Sequence, residues 1–135
     1  MTPSADISNL SGNRIPAAQD AARAGLSIVV PAYNEAAGLA LLHERLGTLA
    51  GKLKQDYGLS CEVVYVDDGS ADNTLSIARS LPATALDVQV VSLSRNFGKE
   101  AALMAGLDHA RRGAVLFMDG DGQHAPELVE QLVRH

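Results

Sequence analysis

The 135-residue sequence contains one cysteine, Cys61, so an intrachain disulfide framework and a multi-cysteine zinc site are both excluded. A lone thiol at the start of an apolar run reads as a small buried hydrophobe. Lysines and arginines number 11 against 16 acids, for a formal charge of −5, and they form no basic run. The electrostatic footprint of a nucleic-acid binder is therefore missing. No apolar stretch approaches the roughly 18 residues of a membrane helix, and the N-terminus lacks the basic region followed by an apolar run that marks a signal peptide, so the chain is expected to be cytoplasmic. Three nucleotide or nucleophile signatures are absent as well: Gly-x-Gly-x-x-Gly after the first strand, the P-loop, and the Gly-x-Ser-x-Gly elbow. His43, His109 and His135 lie on helical stretches without metal-ligand spacing and read as structural or exposed.

What the sequence does have is a composition that can build a core, with 47% apolar and 20% charged residues. Residues 1–25 mix Ser, Asn, Asp, Pro and Ala without an apolar period and read as a flexible tail. From Leu26 on, short β-branched runs recur at 26–30, 62–66, 88–93 and 114–118, each the pattern of a buried strand. Helical stretches are predicted between them, from Ala36 to about Tyr57, Asn73 to about Ser80 and Gly98 to about Arg112, with a last one opening at Pro126. Met104 and Leu107 are expected in the core with Leu103. The alternation predicts an α/β domain over 26–135 with a mostly parallel sheet, its ligand lying beyond the carboxyl ends of the strands near a topological switch point.

The segments at those ends are polar. They are Pro31-Ala32-Tyr33-Asn34-Glu35, Asp67-Asp68-Gly69-Ser70, Ser94-Arg95-Asn96-Phe97-Gly98-Lys99 and Asp119-Gly120-Asp121-Gly122-Gln123. Five carboxylates (Glu35, Asp67, Asp68, Asp119 and Asp121) converge on one edge, which calls for a cation, hydrogen-bond donors or both. Asp119 and Asp121, at i and i+2 on leaving a strand, can present oxygens to one hard cation such as Mg2+ or Mn2+, with Gln123 adding a neutral oxygen or orienting a water. The same run is also ordinary turn chemistry. Asp67 and Asp68 can accept from ribose hydroxyls or a base edge. Arg95 and Lys99 flank the mouth of a helix, where cations and backbone N–H groups suit a phosphate, although solvated charges need no ligand. Asn34 and Glu35 are expected to cap the first helix, Asp72 to cap the second, and Tyr33 either to stack on a base or to sit as a half-buried aromatic. His124 is placed behind the Asp-Gly-Asp-Gly-Gln run rather than among its ligands.

Together the segments PAYNE, VDDGSADNT, LSRNFGKEAALMAGLDHA and MDGDGQHAPELV resemble the family 2 glycosyltransferases, nucleotide-diphosphosugar enzymes of the GT-A fold. Within that family they are most similar to the polyprenol-phosphate branch, the dolichyl-phosphate mannose synthases and bacterial undecaprenyl-phosphate glycosyltransferases. The resemblance runs from Leu26 to His135. It implies a nucleotide held by Pro31, Ala32, Tyr33, Asn34, Glu35, Asp67, Asp68, Gly69 and Ser70, with Arg95, Lys99 and Gly120 toward the diphosphate. It also implies a divalent ion, Mg2+ or Mn2+, on Asp119, Asp121 and Gln123, with the two aspartates as the catalytic pair. The implied substrates are a UDP- or GDP-linked sugar and a lipid-phosphate acceptor met at the cytoplasmic face of the membrane. Gly122 and Ala125 depart from the family's usual larger apolar residue and Pro, which leaves the sugar and acceptor less determined than the fold. Family members continue past this point, so the chain reads as an N-terminal, sugar-donor-binding part, inactive by itself, whose open sheet edge favours self-association. Two rival readings stand beside this one: a nucleotide-binding fragment without catalysis, and an acidic receiver-type domain that takes phosphate on an aspartate.

Overall fold

In the computed structural model, residues 25–119 are described. They run β1 (Gly25–Ala32), α1 (Leu39–Tyr57), β2 (Ser60–Asp67), α2 (Thr74–Ser80), β3 (Asp87–Ser92), α3 (Lys99–His109) and β4 (Ala114–Phe117). The tail up to residue 24, the helix expected from Pro126, and Gly120, Asp121, Gln123 and His124 lie outside the described residues. Gly25, assigned to the tail from sequence, instead opens β1 opposite Ser60.

All strand pairs are parallel and the sheet order is β3-β2-β1-β4. The chain therefore steps outward from β1 through β2 to β3, then crosses back to the far side of β1 for β4. That reversal makes the gap between the carboxyl ends of β1 and β4 the switch point, where open α/β sheets bind ligands. Register decides what each face carries. Ile28 pairs with Val63 and Leu116, and Val30 with Tyr65, so these residues point to one side. Val29 pairs with Val64 and lies on the other side.

The first side is covered by α1 and α2. Leu39, Leu42, Leu46, Leu49, Ala50 and Leu53 recur at helical spacing along α1 and bury against Ile28, Val30, Val63 and Tyr65. The helix ends at Gly58, whose φ of +68° turns the chain so that Leu59 N–H returns to the Leu53 carbonyl. His43 is buried in this layer, its ring between the Tyr65 hydroxyl (2.7 Å) and the Pro82 carbonyl (2.7 Å). The carbonyl can only accept, so Nε2 carries the hydrogen and, in the neutral ring, Nδ1 accepts from Tyr65. The histidine is thus structural, and burial holds the Tyr65 phenol above its ordinary range. Cys61 is buried in the same layer, as its lone apolar setting implied, and burial raises its thiol pKa although Arg112 pulls the other way.

The second side is covered by α3, which approaches closely because its inward residues are small. A Cβ on Gly106 would stand 2.2 Å from Val29 Cγ1, and Ala102 is fully buried. Turning Ala102 and Gly106 inward turns Met104 and Leu107 outward, where they are 58% and 42% exposed. The expectation of a core role for these two is corrected on that ground; only Leu103 is partly buried against the sheet.

Two helix boundaries also differ from the sequence expectation. α1 begins at Leu39, not Ala36, with Gly38 at its cap position and the Glu35 carbonyl accepting from Gly38 and Leu39. The Asn34 side chain does not cap it but accepts from Ala71 N–H instead. α3 stops at His109, short of Arg112, because Ala110 is extended and the Arg111 N–H is drawn to a carboxylate on β2.

Candidate functional site

The carboxyl-end loops are laced to one another in chain order. After β1, Asn34 adopts φ +55°, a left-handed conformation that Asn tolerates better than most residues. Its N–H donates to Ser70 Oγ (2.9 Å), and its side-chain oxygen accepts from Ala71 N–H (2.8 Å). Glu35 N–H donates to Thr74 Oγ1 (2.9 Å) and Ala36 N–H to Asp72 Oδ2 (3.3 Å). The N–H groups that sequence patterning assigned to a helix start are thus spent on the second loop.

Asp72 accepts from the Thr74 hydroxyl and, at 3.0 Å, from the Thr74 N–H at the first residue of α2, a capping contact as expected from sequence. These bonds, the hydroxyl foremost, hold its carboxyl below the ordinary range. Asp67 accepts from Ser70 N–H (3.3 Å) and tightens the same turn.

The second loop is joined to the third by Asp68, which is almost wholly buried. Its two oxygens accept from Phe97 N–H (2.9 Å) and Gly98 N–H (3.1 Å), placing negative charge at the N-terminus of α3, where the helix dipole favours it. Gly69 makes the approach feasible. Its φ is +72°, and a Cβ there would lie 2.3 Å from the Arg95 carbonyl carbon and 2.4 Å from Asn96 N. Any side chain would push the two loops apart. Arg95 stacks its guanidinium 4.5 Å over the Phe97 ring.

The third loop meets the fourth through an ion pair between Lys99, the first residue of α3, and Asp119, just beyond β4. The pair lies at the switch point, beside a shallow depression of about 190 Å³ lined by Lys99, Leu103, Phe117, Met118 and Asp119. Of the residues expected at the carboxyl edge, the loops thus bring Asn34 to Ser70, Asp67 to Ser70, Asp68 to the start of α3, Gly69 to Arg95 and Lys99 to Asp119. Tyr33 is exposed at the rim, Pro31 is half-buried and Ala32 is buried within β1. Among the described residues no group of three His, Cys, Asp or Glu side chains gathers as a metal cluster. Asp119 nevertheless holds a cation, the Lys99 ammonium, so this position suits positive charge.

Sequence reasoning missed Thr74, whose hydroxyl links the first two loops, and the loop-joining role of Asp72. The Asp-x-Thr spacing before a helix was the available signal.

Comparison with known proteins agrees with this architecture. The Glycosyl transferase family 2 profile matches residues 27–135. The chain is 40% identical over 109 residues to the protein named "Putative glycosyltransferase CsbB" of Bacillus subtilis, covering 81% of this chain and 32% of that protein. It is 38% identical over 109 residues to the undecaprenyl-phosphate 4-deoxy-4-formamido-L-arabinose transferase of Aeromonas hydrophila, covering 80% and 32%. The chain thus spans about a third of the length of these curated relatives. Among solved structures, residues 1–349 of S. aureus TarS in complex with UDP-GlcNAc align with a TM-score of 0.61 and 32% identity, over 82% of this chain and 30% of that one. The mannosyltransferase PcManGT of Pyrobaculum calidifontis, in complex with GDP-Man and Mn2+, aligns with a TM-score of 0.56 and 34% identity, over 73% and 28%. These neighbours are GT-A glycosyltransferases, and the receiver-type reading gives way to them. With its motifs in family order and their loops joined at the switch point, the chain belongs to glycosyl transferase family 2.

Proposed function

We propose that this chain forms the sugar-donor site of an inverting, metal-dependent hexosyltransferase that draws on a UDP- or GDP-linked sugar and passes it to a polyprenyl phosphate. The observation that carries the reading is the Lys99–Asp119 pair at the β1/β4 switch point, at the end of a continuous lacing of the motif loops. The relatives named for transfer to undecaprenyl phosphate, and the neighbours holding UDP-GlcNAc or GDP-Man with Mn2+, support the substrate classes.

In this reading Tyr33 stacks on the base from the rim, while Pro31, Ala32, Asn34 and Glu35 bound the nucleoside side with Asp67, Asp68, Gly69 and Ser70. Arg95 and Lys99 face the diphosphate, where two cations stabilise the charge that builds as the sugar leaves. Asp119, with Asp121 and Gln123, would hold Mg2+ or Mn2+, and Gly120 would lie toward the diphosphate. When bound, the ion supplies Lewis-acid neutralisation of the leaving nucleoside diphosphate. A polyprenyl phosphate oxygen is already ionised near neutral pH, so its attack on the anomeric carbon needs little help from a protein base. In-line attack inverts that centre. Such an acceptor places the intact enzyme at the cytoplasmic face of the membrane; among the described residues no helix is long and apolar enough to cross one.

Calorimetric titration with UDP, GDP and their hexose conjugates, with and without manganese, tests the assignment. Binding of one nucleotide is expected, strengthened by the metal, and Asp119→Asn should abolish the strengthening. Manganese-independent binding that is equal in wild type and variant would remove Asp119 from the metal site.

A further inference from the structure

The most deeply buried charge in the described molecule lies at the opposite end of the sheet from the loops above. Glu62, the third residue of β2, is fully buried on the face covered by α3, directly ahead of the run Val63-Val64-Tyr65-Val66. A carboxylate there is tolerable only if its oxygens are satisfied. Glu62 accepts from Ser27 Oγ (2.6 Å), Arg111 N–H (2.6 Å), Gln89 Nε2 (3.0 Å) and Arg111 Nε (3.2 Å), with the remaining guanidinium arm also 3.2 Å away. Burial pushes its pKa up, but these bonds outweigh it and hold the group below the ordinary glutamate range.

The partners come from β1, β3 and the connection between α3 and β4. A second tier extends the hold. Gln89 also donates to the His109 carbonyl (2.7 Å), the last residue of α3, and Ser27 Oγ accepts from Arg112 N–H (3.0 Å), two residues before β4. Helix end and strand start are both tied to one carboxylate.

Glu62, Val64, Val66 and Asp68 alternate onto the same face, so β2 presents α3 with a carboxylate, two valines and a second carboxylate. Glu62 to Asp68 spans about 20 Å of strand, and the 11 residues of α3 span about 16 Å. The two acids therefore bracket the helix. Asp68 holds its N-terminus directly, where negative charge is favoured. Glu62 holds its C-terminus through Gln89 and Arg111, which shield the helix dipole from a charge of the wrong sign.

We propose that Glu62 is a positioning residue for the sugar-donor site: by fixing the C-terminal end of α3 and the entry to β4, it sets where Lys99 and Asp119 meet at the other end of those elements. The proposal rests on the functional reading above for its consequence in binding, but its geometric content can be measured without a ligand.

Amide hydrogen exchange on the full 135-residue chain, wild type and Glu62→Gln, reads that content, alongside titration with UDP and GDP in manganese. The variant keeps the side chain's size but turns one acceptor into a donor facing Arg111 or Gln89. Exchange is expected to quicken about tenfold or more at Phe97, Gly98 and Met118, far from the substitution, as fits loss of a charge-assisted hydrogen bond. The β1–β2 amides should keep their protection, and affinity for the bound nucleotide should fall by a similar factor. Acceleration confined to Arg111 and Arg112, or spread evenly over the whole sheet, would overturn the proposal. Should Glu62→Gln fail to fold, Gln89→Leu removes the tie to His109 and the Gln89 bond to Glu62 while leaving the Ser27 and Arg111 bonds in place; it must then give the same distal pattern at smaller amplitude, and an unchanged Gly98 amide would overturn the proposal. If the wild type binds neither nucleotide, the functional reading falls, while the exchange pattern still decides whether Glu62 positions α3 and β4.

Discussion

The sheet face under α1 and α2 is a continuous apolar core built from leucines of one long helix, with His43 and Tyr65 paired inside it. Among the described residues, the face under α3 has Val29, Val64, Val66 and Ala102 as its buried apolar cluster, set between the carboxylates of Glu62 and Asp68. The first face has the surface area to supply most of the folding free energy. On the second, the described residues form a smaller apolar cluster and make more directional bonds, so its task is placement. Stability and site geometry are thereby assigned to opposite sides of the same strands, and the two should be separable by substitution.

The largest expected effect belongs to the α1 face. Leu46→Ala removes a fully buried side chain and should cost about 2–5 kcal/mol in urea unfolding. Nucleotide affinity of the chain that remains folded should be unchanged; a weakened affinity would break the separation. Next comes Gly106→Ala on the α3 face, where the new methyl collides with Val29 and, at 3.2 Å, with Val66. Overpacking of this kind costs about 1–3 kcal/mol. Here the helix must also lift, so nucleotide binding should weaken along with stability, and a loss of stability alone would show that α3 can move without disturbing Lys99. Smallest is Met104→Ser on the outer side of α3. A substitution so exposed should leave stability within about 0.5 kcal/mol, checked by the same unfolding curve. A larger loss would mean that the outer side of α3 is covered by something that binds it.

Much of the fold was legible because it is written locally. The runs LSIVV, EVVYV, VQVVSL and AVLFM are β-branched and apolar, and each became a strand to within a few residues. The motif loops were recognisable because Gly, Asp and Asn mark turns at strand ends whatever the partner. Less legible were the positions whose role depends on a residue far along the chain. Met104 and Leu107 have the composition of core residues, and only the small inward pair Ala102 and Gly106, matched to Val29 and Val66, turns them outward. Asn34 looked like a helix cap, but its side chain found the N–H of Ala71 instead. Glu62 stood out only as a charge inside an apolar run, and its satisfaction requires Ser27, Gln89 and Arg111 from three other segments.

By itself the sequence determined the alternation of strands and helices, the family and the set of polar residues delivered to the carboxyl edge, since periodicity, turn chemistry and motif order are properties of neighbours in the chain. The tertiary structure alone decided that β4 returns beside β1, that Lys99 faces Asp119, that both Asp68 oxygens are engaged at the start of α3, and that a buried carboxylate anchors its end. Those are pairings across dozens of residues, chosen by strand register, close helix approach and the cost of leaving a buried polar group unsatisfied, none of which a local pattern records.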